Sequence, residues 1–270
     1  MNAMTLTLFT RTPLHIGCGS SVGAVDQPIL RERATGLPVI PGSALKGVLA
    51  DLFLENNDRT EVGKRLLGED DDKAKAKRGM LLVGEARLVA FPIRSAKQGF
   101  AWLTSPLLLQ RLFPTEDLNL PEVKDDTVCC NAALCVSNKA IFEEYALART
   151  DVFPPALQEK LRGLSTNRLW QESCEKRLAL VSDTLLTYFT QNACEIANHN
   201  RIDDEKGTVV DGALFSQENV PSEALFVATL QAQDEADLKT LCAKVGESGN
   251  LLQVGADATT GLGWCDITLQ

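Results

Sequence analysis

Histidine and tyrosine are nearly missing from this chain: among 270 residues there are two of each, the histidines being His15 and His199. Aromatic residues of all kinds make up 6%. So few rings argue against a surface that holds nucleic acid mainly by base stacking. The eight cysteines are Cys18, Cys129, Cys130, Cys135, Cys174, Cys194, Cys242 and Cys265, and no two stand in a C-x-x-C pair. Neither histidine lies at a zinc-like spacing, so the layout argues against both a structural zinc and a disulfide framework. Most of the cysteines fall in apolar runs and are expected as buried free thiols in a reducing compartment. No apolar run reaches the roughly 18 residues of a membrane-spanning helix. Residues 1–9 lack the basic-then-apolar layout of a secretory signal. The expectation is a cytoplasmic protein with no membrane partner.

What is present is a globular composition, 44% hydrophobic, at a length that suits one large domain or two small ones. The net charge of -9 counts, by itself, against nucleic-acid binding. Its distribution is uneven. Residues 1–50 hold Arg11, Arg31, Arg33 and Lys46 against Asp26 and Glu32, a net of +2, which leaves -11 for the rest. A local basic patch can still hold phosphate, because salt screens distant acids beyond about 8–10 Å.

Residues 5–9 alternate polar and apolar and read as a strand. After a glycine-rich loop, Pro41, Gly42 and Ser43 open a helix, with Ser43 expected as its cap. Leu45, Val48, Leu49, Leu52 and Phe53 then fall on one face. Residues 68–78 form a charge block expected as a loop. Residues 80–91 read as a second strand, ended by Pro92. Ser105-Pro106 has the form of a helix start. Residues 182–191 read as a helix and 193–202 as a strand. The polar stretch 203–218 reads as a projecting loop or hairpin. Residues 224–231 alternate as a strand, Asp234 caps a helix with Leu238, Leu241, Cys242 and Val245 on one face, and residues 251–254 and 264–269 close as strands. Strand-helix-strand at both ends composes a split β-α-β core of ferredoxin-like, RRM-like α+β class. The expectation is a single domain over 1–270, with insertions near 55–79 and 114–175.

Four segments carry candidate chemistry. The loop from Gly17 through Gly19 to Gly23 has G-x-G-x-x-x-G spacing, one residue off the dinucleotide fingerprint, and does not open directly into a helix. Such a loop serves close approach of backbone N–H groups to phosphate, or a plain surface turn. At the helix start, free N–H groups, Ser43 and Lys46 can bind phosphate, or form an ordinary helix end. Arg94, Ser95 and Lys97 place two cations and a hydroxyl after a strand. A second glycine-rich loop runs from Gly255 to Gly263 and contains Thr259, Thr260 and Gly261.

Taken in order, these segments resemble the RAMP superfamily of CRISPR proteins, and most closely its backbone subunit of type III-B (Cmr) complexes. The resemblance rests on His15-Ile16-Gly17, on Thr35 to Gly47, on Phe91 to Ser95 followed by Phe100 to Pro106, and on Gly255 to Gly263. It covers nearly the whole chain. Two places depart from the family pattern: Gly255-Ala256-Asp257-Ala258-Thr259 replaces Gly-Gly-Asp-Glu-Thr, and Ala96-Lys97-Gln98 stands where Leu-Lys-Gly is usual.

The resemblance implies an RRM-like core that stacks head to tail with copies of itself along a guide RNA, together with other Cmr subunits. It implies a thumb-like hairpin, here near 201–218 with Asp203, Asp204, Lys206 and Val209, that distorts the paired target RNA where it is cut. Sequence choice is then left to base pairing while the protein reads backbone and shape. Gly17, Gly19, Ser43, Lys46, Arg94, Ser95, Lys97, Thr259, Thr260 and Gly261 are the implied RNA contacts. The family's catalytic aspartate matches Asp26, the only acid among the first 31 residues. It is expected to bind a divalent ion, Mg2+ or Mn2+, and to orient the ribose 2′-hydroxyl or take its proton. Without the resemblance Asp26 reads as a loop-capping residue. His15 is placed for proton transfer, for a phosphate contact or for a structural role after the strand. Two alternatives stay open: a non-catalytic scaffold that only holds guide RNA, and a guide-RNA-processing ribonuclease. The latter usually has a histidine-centred site, which the shortage of histidine counts against.

Overall fold

The computed structural model describes residues 1–19, 23–69, 77–200, 202, 208 and 213–270. Its organising core is four strands and two helices. Strand β1 (Asn2–Thr10) leads, through the long loop that follows it, to helix α1 (Gly42–Asp51) and on to strand β2 (Ala86–Ser95). Strand β3 (Leu225–Ala232), helix α2 (Glu235–Glu247) and strand β4 (Trp264–Leu269) repeat the pattern. The sheet order is β4-β1-β3-β2, all antiparallel. Two interleaved β-α-β units in that order make the ferredoxin-like, RRM-like arrangement.

Side-chain alternation divides the sheet between two cores. Leu6 and Leu8 of β1 face one side with Leu45 and Leu49 of α1 and Leu238, Leu241 and Val245 of α2. Phe9 faces the other, where it meets Trp102 and Trp170 edge-on at 6.3 and 6.2 Å. The indole N–H groups, which could not be left unpaired in such a core, donate to the carbonyls of Glu223 and Leu161 at 2.7 and 3.0 Å.

Several sequence expectations need correction. Ser43 does not cap α1. Pro41 holds the cap position, its backbone extended as proline prefers, and Ser43 lies exposed within the first turn. The second strand is broken into Leu82–Val83 and β2, and β2 runs straight through Pro92. Pro92 pairs with Trp102 of strand Gly99–Thr104 on one edge, and proline is tolerated because on the other edge the β3 ladder ends at Ala90 and the next neighbour is Phe142 beside Ser95, so no N–H is needed there. The stretch 114–175, which shows no clear periodicity, supplies strands Thr127–Cys130, Lys139–Phe142 and Tyr145–Asp151 that extend the same sheet past β2. Cys129, Cys130, Cys174 and Cys265 are buried free thiols as expected, whereas Cys18 is exposed in the loop after β1.

Apart from the main sheet stands a two-stranded antiparallel hairpin. Its outgoing arm is Glu195–His199 and its returning arm Phe215–Asn219, registered from Glu195↔Asn219 to His199↔Phe215. Helix Asp183–Asn192, capped by Ser182, feeds it directly. Asp203, Asp204, Lys206 and Val209, expected at its tip, lie outside the described residues, as do 70–76 of the charge block.

Candidate RNA-cleavage site

Three segments that are far apart in sequence meet where the hairpin joins the core. They are the loop after β1, the returning arm of the hairpin and the glycine-rich loop before β4. Backbone bonds set the register. Leu14 and Val220 exchange hydrogen bonds of 2.8 and 2.9 Å, Gln27 N–H donates to the Ser216 carbonyl at 3.0 Å, and Glu218 N–H donates to the Gln27 carbonyl at 2.9 Å. The Ala256 N–H donates to the His15 carbonyl at 3.0 Å, which clamps the third segment onto the first. Gly255 makes this approach possible: its φ is +85°, and a Cβ there would stand 2.3 Å from the His15 carbonyl oxygen.

His15 is buried, and its Nδ1 lies 2.7 Å from the Glu218 carbonyl oxygen. A carbonyl can only accept, so Nδ1 carries the proton and, in the neutral ring, Nε2 keeps its lone pair. Gly17 provides room for that nitrogen, since a Cβ at position 17 would come within 2.8 Å of Nε2. The free space at Gly17 is therefore occupied by the His15 ring.

Asp26 lies exposed on the same loop. Its Oδ2 accepts from the N–H of Ser216 at 2.8 Å and from the Ser216 hydroxyl at 2.9 Å. These bonds, the backbone one first, hold the carboxyl below the usual carboxylate range. The two bonds share one oxygen, which leaves Oδ1 for another partner. Behind Asp26 the returning arm turns polar yet buried. Glu218 reaches Arg31 at 2.5 Å and accepts from the Ile29 N–H at 3.0 Å. Arg31 also donates to the carbonyls of Gly36 and Thr190, both at 2.9 Å. Cys194 lies against the same guanidinium, and burial pushes its thiol up to about 12 despite that neighbour. Gln217 donates to Asp257 at 2.8 Å, tying the arm to the third segment as well.

The remaining sequence-derived residues lie around this junction. Gly19, at φ +96°, continues the first loop. Thr259 and Thr260 are exposed in the short turn Ala258–Thr260, where the Thr260 hydroxyl donates to the Asp257 carbonyl at 2.9 Å, and Gly261 follows at φ +88°. Arg94 is exposed at the end of β2, pairs with Glu143 at 2.8 Å, and shares a shallow pocket with Ala193 and Pro221 at the hairpin's base. Ser95 is buried and its hydroxyl accepts from the N–H of exposed Lys97 at 3.4 Å. Ser43 and Lys46 line a groove with Leu81, Leu82, Val83 and Glu85. No contact joins them to Asp26 among the described residues.

Ser216, Gln217, Glu218 and Arg31 are the members of the site that sequence reasoning missed. The first three sit inside a run read as a polar loop, and no local sequence signal sets them apart, because burial along the returning arm does not alternate but runs unbroken from Gln217 to Asn219. Among the described residues no three of His, Cys, Asp and Glu come together as a metal-binding group. Asp26 fits the role of a single carboxylate ligand to a hydrated Mg2+-type ion, which takes one or two carboxylates and fills its shell with water and substrate phosphates.

Comparison with known proteins adds independent findings. The RAMP superfamily profile matches residues 7–266. The CRISPR system Cmr endoribonuclease Cmr4 of Pyrococcus furiosus is 35% identical over 290 aligned residues, covering 100% of this chain and 96% of the relative. The crystal structure of oligomeric Cmr4 from the same organism superposes with a TM-score of 0.77 at 28% identity, covering 100% of this chain and 98% of that one. A chain of the type III-B Cmr-beta complex bound to cognate target RNA shares the fold at a TM-score of 0.78 and 20% identity, covering 100% and 97%.

Proposed function

The chain belongs to the RAMP superfamily, and we propose that it is the backbone subunit of a type III-B CRISPR effector complex that cuts target RNA paired to a guide. Copies of the chain stack head to tail along the guide RNA and meet other Cmr subunits. The named endoribonuclease activity of a relative 35% identical over the full chain supports this reading, as does the oligomeric state named for a homologous crystal structure.

One observation carries the catalytic part: an exposed carboxylate, Asp26, is fastened to Ser216 on the returning arm of the hairpin and lies on the same loop as a buried histidine. A hairpin that distorts the paired target would present a ribose beside its returning arm. Asp26 then orients the 2′-hydroxyl for in-line attack on the adjacent phosphate, or takes its proton. His15, with Nδ1 committed to the Glu218 carbonyl, holds the loop and offers Nε2 as a proton acceptor. A divalent ion, Mg2+ or Mn2+, is part of the proposal with Asp26 as its protein ligand, and bound there it would offset charge on the phosphate oxygens. Gly17, Gly19, the α1 start with Ser43 and Lys46, the β2 end with Arg94, Ser95 and Lys97, and the turn with Thr259, Thr260 and Gly261 form the guide-holding surface. Their backbone and hydroxyl donors and cations suit phosphate rather than base edges.

The test is Asp26→Asn in the assembled complex. The amide keeps the size and removes the charge. Target cutting should stop while guide binding and assembly persist, and the wild-type products should carry a 2′,3′-cyclic phosphate. A deoxyribose at the cut position should resist. Full cutting by the Asp26→Asn complex would leave the chain as a guide-holding scaffold.

A further inference from the structure

An exposed aspartate on a loop has freedom that a cleavage reaction cannot use. Its carboxylate must meet one hydroxyl among several near it, and small misplacements cost large factors in rate. Something must therefore hold Asp26, and charged neighbours do not. Arg31, a cation of the same loop, is engaged with Glu218 and with the Gly36 and Thr190 carbonyls. What holds Asp26 is one residue of the returning hairpin arm. Ser216 gives its N–H and its hydroxyl to Oδ2, at 2.8 and 2.9 Å, and its hydroxyl oxygen accepts the Asp26 N–H at 3.1 Å. The hydroxyl thus donates once and accepts once, and closes a reciprocal clip between residues 190 positions apart.

We propose that Ser216 is a positioning residue for target cleavage, acting through the Asp26 carboxylate and coupling its placement to the hairpin. The proposal rests on the reading of Asp26 given above. A purely structural role would require the clip to hold the loop in place. The loop has other fastenings that do this: Gln27 N–H to the Ser216 carbonyl, Glu218 N–H to the Gln27 carbonyl, and Ile29 N–H to the Glu218 carboxylate. Losing the Ser216 hydroxyl leaves all three in place. It removes one of the two bonds on Oδ2 and leaves the backbone N–H of residue 216 as a single pivot, about which the carboxylate can turn while the loop keeps its path. The geometry also ties hairpin and acid together, so the element proposed to distort the paired target also holds the group proposed to align the neighbouring ribose.

The experiment compares Ser216→Ala, Ser216→Thr and Asp26→Asn in complexes assembled with guide RNA, by single-turnover cutting of a complementary target RNA at saturating concentration. Target affinity is measured in parallel. Ser216→Ala should cut about 10- to 100-fold more slowly, the range expected of a misplaced catalytic group, with unchanged target affinity. Ser216→Thr keeps the hydroxyl on a residue that strands accept, and should recover most of the rate. Combining Ser216→Ala with Asp26→Asn should add nothing to the loss from Asp26→Asn alone. Wild-type cutting by Ser216→Ala, a loss confined to target affinity, or a failure of threonine to restore the rate would each overturn the proposal. The two readings separate cleanly: an inactive Asp26→Asn with an unimpaired Ser216→Ala removes only Ser216, whereas an active Asp26→Asn removes both.

Discussion

Replacing Glu218 tests whether the polar interior of the hairpin root is a structural support. Its carboxylate is 9% exposed and meets Arg31, 19% exposed, at 2.5 Å, while its second oxygen takes the Ile29 N–H. Glu218→Ala removes one partner of a buried ion pair, which costs about 3–5 kcal/mol where the remaining charge is uncompensated. Arg31 is partly compensated, since the Gly36 and Thr190 carbonyls still accept from it. That lowers the loss, but the stranded Ile29 N–H adds about 1–3 kcal/mol. A net of about 3–4 kcal/mol follows, and at about 2–4 °C per kcal/mol for a chain of this size the melting midpoint should fall by about 10 °C. Glu218→Gln keeps one acceptor oxygen, for Arg31 or for the Ile29 N–H, and turns an NH2 donor toward the other, so its cost should fall below that of alanine only by the one bond it keeps. Thermal and urea denaturation of the free chain, followed by two spectroscopic probes, reads both variants. Because the pair is buried, added salt should change the difference little. A loss below about 1 kcal/mol for Glu218→Ala would mean that the pair is solvated in solution and that the polar interior carries little of the fold.

Two other substitutions address the surroundings. Gly255→Ala forces a side chain into a left-handed backbone position and onto the His15 carbonyl, so it should cost about 1–3 kcal/mol in denaturation and slow cutting by displacing the His15 loop; an unchanged midpoint would show that the two loops are not clamped. Replacing Lys46 and Arg94 together by alanine should weaken guide RNA binding and reduce its salt slope by about one per lost phosphate contact. Arg94 already shares its charge with Glu143, so the larger part should come from Lys46, and an unaltered slope would remove both from the guide-holding surface.

The core was legible because its signals are local. The apolar face of α1, the capped helix α2 and the alternation in β1 and β3 each follow from a few neighbouring residues, and their order at the two ends of the chain is enough to indicate the split β-α-β plan. The stretch 114–175 resisted reading for the opposite reason. Its strands are short, and Tyr145–Asp151 pairs in parallel with Thr127–Cys130, so periodicity has few residues to act over. Pro92 misled because a proline inside a strand is harmful only where its N–H is needed, which depends on where the partner strands end rather than on the sequence around it.

The site divides along the same line. Asp26 and His15 were reached through the resemblance of their loop, and Gly17 and Gly255 through their glycines, although the contact both glycines accommodate is His15 rather than a phosphate. Gln217 and Glu218 fall in the polar stretch read as a projecting loop or hairpin, yet each is nearly inaccessible to solvent. Polarity is a property of the residue, whereas burial was decided by Arg31 and Ile29, nearly two hundred positions away. A charged pair inside a hairpin root is a weak source of stability compared with apolar packing, because desolvation offsets much of the attraction. What it supplies here is register. Apolar side chains would allow the arm to slide by two residues with little penalty, and such a slip would carry Ser216 away from Asp26. Glu218 can satisfy Arg31 and the Ile29 N–H in one alignment only. The ion pair that sequence patterning obscures thus fixes the alignment on which the Asp26–Ser216 clip depends.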